Sequence, residues 1–273
     1  MKSGITTGFD SNLPLETAIP LIAEAGFDAV SLSWEPSHID YATQHNQKKI
    51  LLQTKKNGLM IESIHAPWKT DLGVLDEKWR EYEINSNRAA IVAAGEMGIE
   101  FVIIHAGWGD ADKDLIRGRI EATLKSVEKL SACARENDVK LAVENLQGTP
   151  SRLLTEHILR EFPQDHIGLC HDTGHEHCSM DCFKALESMG NRLFCTHVHD
   201  DLGFGKDDHL LPYKGTIDWD LYIKIMRKLS FSGYLLIESV RNRADGFSDS
   251  QSFLNEAKTC ADRLIAAIAR PAQ

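Results

Sequence analysis

FVIIHAG, residues 101–107, is a short apolar run that contains one ionisable residue, His105, near its end. A run of this length is typical of a strand buried on both faces of a parallel sheet. The pattern recurs along the whole chain. We predict eight strands, at residues 5–9, 29–34, 60–66, 101–107, 140–146, 167–172, 193–200 and 234–240.

Longer amphipathic stretches separate these runs. They predict helices at residues 14–25, 39–57, 76–98, 112–136, 151–162, 180–190, 218–229 and 248–268. Strict alternation of strand and helix predicts a parallel sheet covered by helices, and eight strands can close a barrel. An open doubly wound sheet is the alternative, but no GxGxxG turn follows the first run. The predicted fold class is α/β, a (β/α)8 TIM barrel with residues 1–273 as a single domain.

The charge balance argues against a nucleic-acid partner. The chain has 40 acidic and 30 basic residues, a formal net charge of −10. Nucleic-acid-binding domains usually carry a basic surface, and a negative field repels a phosphate backbone. We expect a small-molecule substrate and no nucleic acid, and we leave a homo-oligomer open.

The sequence also lacks recognisable membrane and export signals. It begins MKSGITTGFD, without the apolar core of a signal peptide, and no run approaches the roughly 18 apolar residues of a membrane span. We therefore expect a cytoplasmic protein with no membrane partner.

Ionisable residues recur at the ends of at least six predicted strands. They are His65, His105, Glu144, Asp172, His197, His199 and Glu238. Burying such a group costs several kcal/mol unless it is paired or bound to a metal. Since the strand ends of a barrel converge on one mouth, this pattern predicts a divalent-metal site.

Two further sets of residues are expected at the same mouth. His175 follows Asp172 by one short turn, and Asp207 and His209 lie in the long irregular stretch 200–219. Three tryptophans lie just beyond strand ends, Trp34, Trp68 and Trp108. Tryptophan faces stack on sugar rings, so we predict that these three residues and His199 contact the substrate. Packing under the loops is the alternative for the tryptophans.

The most specific motifs lie at these strand ends. They are HAPW (65–68), IIHAG (103–107), AVEN (142–145), GLCHDTGH (168–175), THVHDDLG (196–203), DDHLLPYKGTIDW (207–219) and LLIE (235–238). Together they resemble the xylose isomerase-like TIM barrel superfamily. This superfamily includes sugar isomerases and epimerases, inosose dehydratase-type enzymes and endonuclease IV.

The resemblance implies two sets of ligands. The epimerase and isomerase branch holds one metal with residues that match Glu144, Asp172, His197 and Glu238, and its two glutamates form the acid/base pair. The endonuclease IV branch holds three zinc ions with nine ligands, which would add His65, His105, His175, Asp207 and His209. We expect one to three ions per chain, zinc or manganese, with cobalt and magnesium as alternatives.

The same resemblance implies the function. We predict a metal-dependent isomerase or epimerase of a sugar or sugar phosphate, acting by proton transfer through an enediolate. A zinc-dependent endonuclease for abasic DNA and an inosose dehydratase-type lyase are the alternatives. The net charge argues against the endonuclease, and the loop at residues 67–72 resembles the DNA-penetrating loop only loosely.

Overall fold

A computed structural model describes residues 1–33, 41, 43–109, 112–180, 182–203, 205–243 and 246–270. Eight parallel strands form the sheet: β1 Lys2–Thr6, β2 Ala29–Leu32, β3 Met60–His65, β4 Phe101–His105, β5 Lys140–Glu144, β6 Ile167–Asp172, β7 Leu193–His197 and β8 Tyr234–Ile237. Their order is β7-β6-β5-β4-β3-β2-β1-β8, and a parallel bridge between Val198 and Ile237 links the two edges. The predicted (β/α)8 barrel is confirmed.

Helices cover the outside of the barrel. They are α1 Leu15–Glu24, α2 Gln44–Lys56, α3 Glu77–Met97, α4 Lys113–Glu136, α5 Thr149–Glu161, α6 Thr173–Cys178, α7 Lys184–Met189, α8 Trp219–Leu229 and α9 Ser250–Ala269. Aspartates cap several N-termini by accepting from backbone N–H groups, as Asp76 does for Trp79 at 2.8 Å and Asp218 does for Leu221 at 3.0 Å. These caps place the helix starts close to the predicted positions.

Two elements differ from the sequence prediction. The first strand was predicted at residues 5–9, but β1 ends at Thr6 and residues 7–9 form a 3-10 turn. The Thr6 hydroxyl accepts from the Gly8 N–H at 3.2 Å and so stabilises the turn. The short helix α6 was not predicted. It forms because the Asp172 carboxylate accepts from the His175 N–H at 2.6 Å.

Small side chains fill the barrel interior beneath the mouth. Ile103, Ala142, Cys170 and Cys195 form a buried cluster against which Phe194 packs. A Cβ at Gly168 would lie 2.4 Å from the Phe194 ring, so the glycine makes room for that ring. This packed interior closes the barrel below the polar strand ends.

Within the part of the chain that the structure describes, no helix combines the length and apolar character needed to cross a membrane.

Candidate metal centre

Five consecutive strands each end on a residue that can bind metal. His65, His105, Glu144, Asp172 and His197 are the last residues of β3 to β7. The strand register sets His105 beside Glu144 and Asp172 beside His197. The apolar residues that precede them hold each strand in the barrel wall, so these side chains meet at one mouth.

Glu144 lies at the centre of the cluster and is almost fully buried. Its Oε2 atom is 3.1 Å from Nε2 of His65 and 3.2 Å from Nε2 of His105. Its Oε1 atom is 3.2 Å from Nδ1 of His175, and Nδ1 of His197 lies 3.4 Å from Oε2. A single carboxylate thus contacts four imidazole rings.

Hydrogen bonds to the backbone fix the tautomers of several of these histidines. The Nδ1 atoms of His65, His105 and His209 lie 2.6, 2.7 and 2.7 Å from the carbonyl oxygens of Ala66, Trp68 and Glu238. A carbonyl only accepts, so each Nδ1 carries a proton and each Nε2 is the nitrogen that can take a metal ion or a second proton. Metal-binding histidines commonly donate their other N–H in this way.

Among the described residues at the mouth, five groups of side chains have ligand atoms within 4.8 Å of one another, and three of them are named here. The His65 group is His65, His105 and Glu144. The Glu238 group is Glu144, Asp172, His197 and Glu238. The His209 group is His199, Asp207 and His209. Glu144 belongs to the first two groups, so one carboxylate can bridge two ions.

Electrostatic interactions in the cluster favour an ionised Glu144 and protonated rings of His197 and His199. Burial would raise the pKa of Glu144, but His197 and His105 outweigh it and hold that pKa well below its ordinary value. Burial would lower the pKa of His199, but Asp172 outweighs it and raises that pKa to about 9. The pKa of His197 is raised well above its ordinary value, against the effect of burial, by Cys170 and Glu238. In the absence of metal, His197 and His199 therefore hold protons that a bound metal ion could replace.

The donor set fits a divalent ion. Among the described residues, the buried Nδ1 atom of His197 has no hydrogen-bond partner, although it lies 3.1 Å from Oε2 of Glu238. A cation between the nitrogen and the carboxylates would satisfy both. Nitrogen and oxygen ligands of this kind suit zinc, manganese and cobalt.

The remaining predicted ligands lie at the same mouth. His175 Nε2 is 3.7 Å from Oδ2 of Asp207, and His209 Nε2 is 3.0 Å from the same oxygen. The structure therefore brings all nine residues predicted as ligands into one cluster. Their roles in metal binding stay predictions.

A cavity of about 230 Å³ opens above the cluster. Trp68 lines this cavity, whereas Trp108 and His199 are not among the described residues of its wall. His199 is fully buried behind Asp172, with its Nε2 atom 3.2 Å from Oδ2 of that residue. Trp34 lies outside the described residues. Substrate contact by these four residues stays a prediction.

Part of the cavity wall and one positioning residue were not among the predicted site residues. Thr6, Gly8 and Ser33 line the cavity but follow no ionisable pattern. Asn145 was quoted only within AVEN, yet its amide donates to the Asp172 carbonyl at 2.9 Å and accepts from the Asp172 N–H at 2.8 Å. The backbone carbonyl oxygen of Asn145 lies 3.0 Å from Nδ1 of His175. A polar residue directly after a strand-end glutamate was the available signal.

Residues 19–257 match the family model described as xylose isomerase-like TIM barrel. The chain belongs to this family. Solved structures with the xylose isomerase-like fold superpose on nearly its whole length. A D-tagatose 3-epimerase-like protein has a TM-score of 0.82 at 19% identity, over 98% of each chain. The IOLI protein, crystallised with a binding zinc atom, has a TM-score of 0.79 at 17% identity, also over 98% of each chain. Identities this low establish the fold alone.

Two curated relatives align with part of the chain, and only one of them has a name that gives a function. The uncharacterized protein y4fM of Sinorhizobium fredii is 30% identical over 201 residues, which are 70% of this chain and 59% of that protein. A probable endonuclease 4 of Malacoplasma penetrans is 26% identical over 197 residues, 64% of this chain and 66% of that protein. The chain thus spans about two thirds or less of the length of these two relatives.

Proposed function

We propose that this protein is a divalent-metal-dependent isomerase or epimerase of a sugar or sugar phosphate. The observation that supports this most directly is the Glu238 group, which joins an aspartate and a histidine to two glutamates that line a small cavity. The epimerase-like protein that shares the fold is consistent with this proposal, and the zinc atom in the IOLI protein favours a metal-dependent enzyme. Zinc or manganese is the proposed metal, with cobalt and magnesium as alternatives.

Proton transfer is the chemistry that we assign to the two glutamates. A divalent ion held by the Glu238 group would polarise a sugar carbonyl and acidify the neighbouring C–H bond. Glu238 is the more accessible of the two, with its side chain 17% exposed, and it contacts His197 through Oε2. We assign proton removal to Glu238, which forms the enediolate of the sugar, and delivery of a proton to the other face to Glu144. Glu144 would take that proton from solvent or from a neighbouring imidazolium, because its own pKa is held low.

The surroundings of the two glutamates are unequal. Both oxygens of Glu144 contact imidazole nitrogens, from His175 on Oε1 and from His65 and His105 on Oε2. Such a carboxylate is stabilised as a ligand, whereas Glu238 is the more exposed of the two glutamates that line the cavity. We therefore infer that Glu238 contributes more to proton transfer and Glu144 more to holding the metal.

The size and charge of the mouth favour a small substrate. The cavity of about 230 Å³ is smaller than the roughly 300–1,000 Å³ of sites for drug-sized ligands. Two arginines near the mouth are neutralised, since Arg119 pairs with Asp71 at 2.6 Å and Arg241 pairs with Asp10 at 2.6 Å. This arrangement suits a monosaccharide-sized polyol better than a polyanion. We extend the proposal to a single domain over residues 1–273 and to a cytoplasmic location.

Formation of epimers or isomers from a panel of ketoses and aldoses tests this proposal. The metal-loaded protein should convert at least one sugar, and Glu238→Gln should lower that rate by a factor of about 10² or more. Glu62→Gln is the matched control. Glu62 is a buried glutamate within β3, and burial raises its pKa to about 8, so at neutral pH an amide there replaces a mostly protonated carboxyl group. Full turnover by Glu238→Gln would reject the assignment.

A second candidate is supported by one specific observation. The His65, Glu238 and His209 groups together offer sites for three ions, as the endonuclease IV resemblance implies. Clustered zinc ions can activate water and clamp a phosphodiester. This candidate predicts about three zinc ions per chain and cleavage of duplex DNA at abasic sites, so an assay on abasic and intact duplexes separates the two functions.

A further inference from the structure

Exposed tryptophans lie on the loops that follow β3 and β4, and one of them lines the cavity. Trp68, after β3, is 48% exposed and also lines the cavity, and Trp108, after β4, is 49% exposed. A large aromatic ring left in water forgoes the free energy that its burial would provide. A single such residue is common on a protein surface, so the way in which these two are held decides whether they carry function.

The two loops that carry these tryptophans are fixed to each other. The Trp68 carbonyl lies 2.7 Å from Nδ1 of His105, the last residue of β4. Asp71 accepts two hydrogen bonds from Arg119, at 2.8 and 2.6 Å, and it packs so closely against Gly107 that a Cβ there would lie 2.1 Å from its Oδ1 atom. Because Gly107 has a φ of +111°, the position is doubly suited to glycine.

One further contact narrows the surface that Trp68 can offer. The Lys69 Nζ atom lies 4.6 Å from the centre of the Trp68 ring and covers one face. The Trp68 ring therefore contacts the Lys69 ammonium group and also lines the cavity. A rigid aromatic ring in that position offers a ready-made stacking surface at little entropic cost to the ligand complex.

The cavity itself has room for little more than one sugar ring. Its volume is about 230 Å³, and Trp68 belongs both to its wall and to the outer surface. A free monosaccharide would occupy the cavity and leave most of the exposed tryptophan surface unused. A ligand with a second ring would use both regions.

We propose that the substrate is a glycoside whose reacting sugar lies in the cavity and whose second ring, from a further sugar or an aromatic aglycone, stacks on Trp68, with Trp108 on the adjoining loop. This inference rests on the proposed proton-transfer function and names its substrate class.

The chemistry of a glycoside limits the reaction sequence. Its anomeric carbon is locked as an acetal, so the carbonyl needed for proton transfer must lie on another ring carbon. An oxidoreductase that removes two electrons and two protons from a ring hydroxyl must therefore act first. In the present site the C–H bond next to that carbonyl breaks, the proton moves to a carboxylate, and a proton returns to the carbon with no net redox change.

Calorimetric binding of paired methyl and phenyl glycosides to the metal-loaded protein tests this proposal. The pairs are the α- and β-glucopyranosides and galactopyranosides. For at least one pair we expect the phenyl glycoside to bind roughly three- to tenfold tighter than the methyl glycoside. Trp68→Ala should remove that difference and Trp108→Ala should reduce it. Trp79→Ala is the matched control, because Trp79 is 56% exposed but lies on α3, where its ring packs against Tyr82.

The outcomes separate this inference from the proposed function. Equal binding of methyl and phenyl glycosides, no binding by any of them, or an equal loss in Trp79→Ala would overturn the inference. Conversion of free ketoses would still support the isomerase in that case. A phenyl preference that depends on Trp68, with no proton exchange in any ketose or keto-glycoside, would support Trp68 as a binding surface and reject the isomerase.

Discussion

The Nε2 atom of His105 lies 3.2 Å from Oε2 of Glu144, across the paired ends of β4 and β5. Since Nδ1 of His105 faces the Trp68 carbonyl, the nitrogen that faces Glu144 presents a lone pair when the ring is neutral. A lone pair opposite a carboxylate oxygen is unfavourable unless a proton or a metal ion lies between them. His65 repeats the same arrangement at 3.1 Å. This relationship is the main physical reason for expecting a cation here.

The first prediction concerns metal content. Glu144→Gln should lower the number of bound ions more than Glu238→Gln, because Glu144 belongs to three of the five groups and Glu238 to two. Elemental analysis of the two purified variants measures this difference. Glu62→Gln should retain the wild-type content. An equal content in Glu144→Gln and wild type would show that Glu144 does not bridge.

The second prediction concerns pH. The pKa of His197 is raised well above its ordinary value and that of His199 is raised to about 9, so both rings carry protons at neutral pH when no metal is bound. Metal ligands must be deprotonated, so metal affinity should rise with pH up to about 9 and binding should release protons.

Calorimetry in two buffers of different ionisation enthalpy measures this proton release. We expect at least about one proton released per ion at pH 7. Binding heats that do not depend on the buffer, with an affinity that is flat between pH 6 and pH 8, would contradict it.

The third prediction concerns Asn145. Asn145→Ala removes two hydrogen bonds that hold the end of β6, at 2.9 and 2.8 Å, and so loosens Asp172. We expect metal affinity to fall roughly 10- to 100-fold and the free energy of unfolding of the metal-free protein to fall by about 1–3 kcal/mol.

Competition with a chelating dye gives the affinity, and a denaturant titration gives the stability. Asn137→Ala is a useful control. Asn137 also donates through its side-chain amide, to the Cys133 carbonyl at 2.8 Å, but it lies at the end of α4 away from the mouth. A loss of affinity in Asn137→Ala equal to that in Asn145→Ala would argue against a specific positioning role.

The fourth prediction concerns Glu62, at the opposite end of the barrel from the metal centre. Burial raises its pKa from 4.5 to about 8, with His197 and Ser63 opposing. The unfolded chain therefore loses this proton at a lower pH than the folded chain does. The contribution of Glu62 to stability falls as pH rises from 4.5 to about 8.

Glu62→Gln removes that penalty. The free energy of unfolding of the variant relative to wild type should therefore increase with pH over this window, by up to about 1.4 kcal/mol per pH unit. Thermal melts of both proteins across the window provide the comparison. A difference that stays constant with pH would mean that Glu62 is ionised in the folded state.

The fold could be predicted because its signal is repeated and local. Each strand is an apolar run, and runs such as 101–107 extend only a few residues past the strand that the structure assigns, Phe101–His105. The first strand was misplaced because Phe9 extends the apolar pattern, while the Thr6 hydroxyl turns the chain after β1. A side-chain hydrogen bond of this kind leaves no periodic trace in the sequence.

The polar cluster could be predicted for a similar reason. A charged residue at the end of a buried strand is conspicuous, and the barrel brings strand ends together whatever their separation in sequence. The cavity wall could not be predicted, because Thr6, Gly8 and Ser33 are small residues with ordinary structural roles. The burial of His199 behind Asp172 depends on the conformation of the loop after β7, which no strand pattern determines.

Solvent-deuterium incorporation tests the central claim most directly. The metal-loaded protein is incubated in D₂O with free ketoses and keto-glycosides, and NMR follows the C–H position next to the carbonyl. We expect exchange at one such position, retained in Glu62→Gln and lost in Glu238→Gln. Absence of exchange in every sugar, together with cleavage of abasic DNA by the same preparation, would contradict the isomerase and favour the phosphodiesterase.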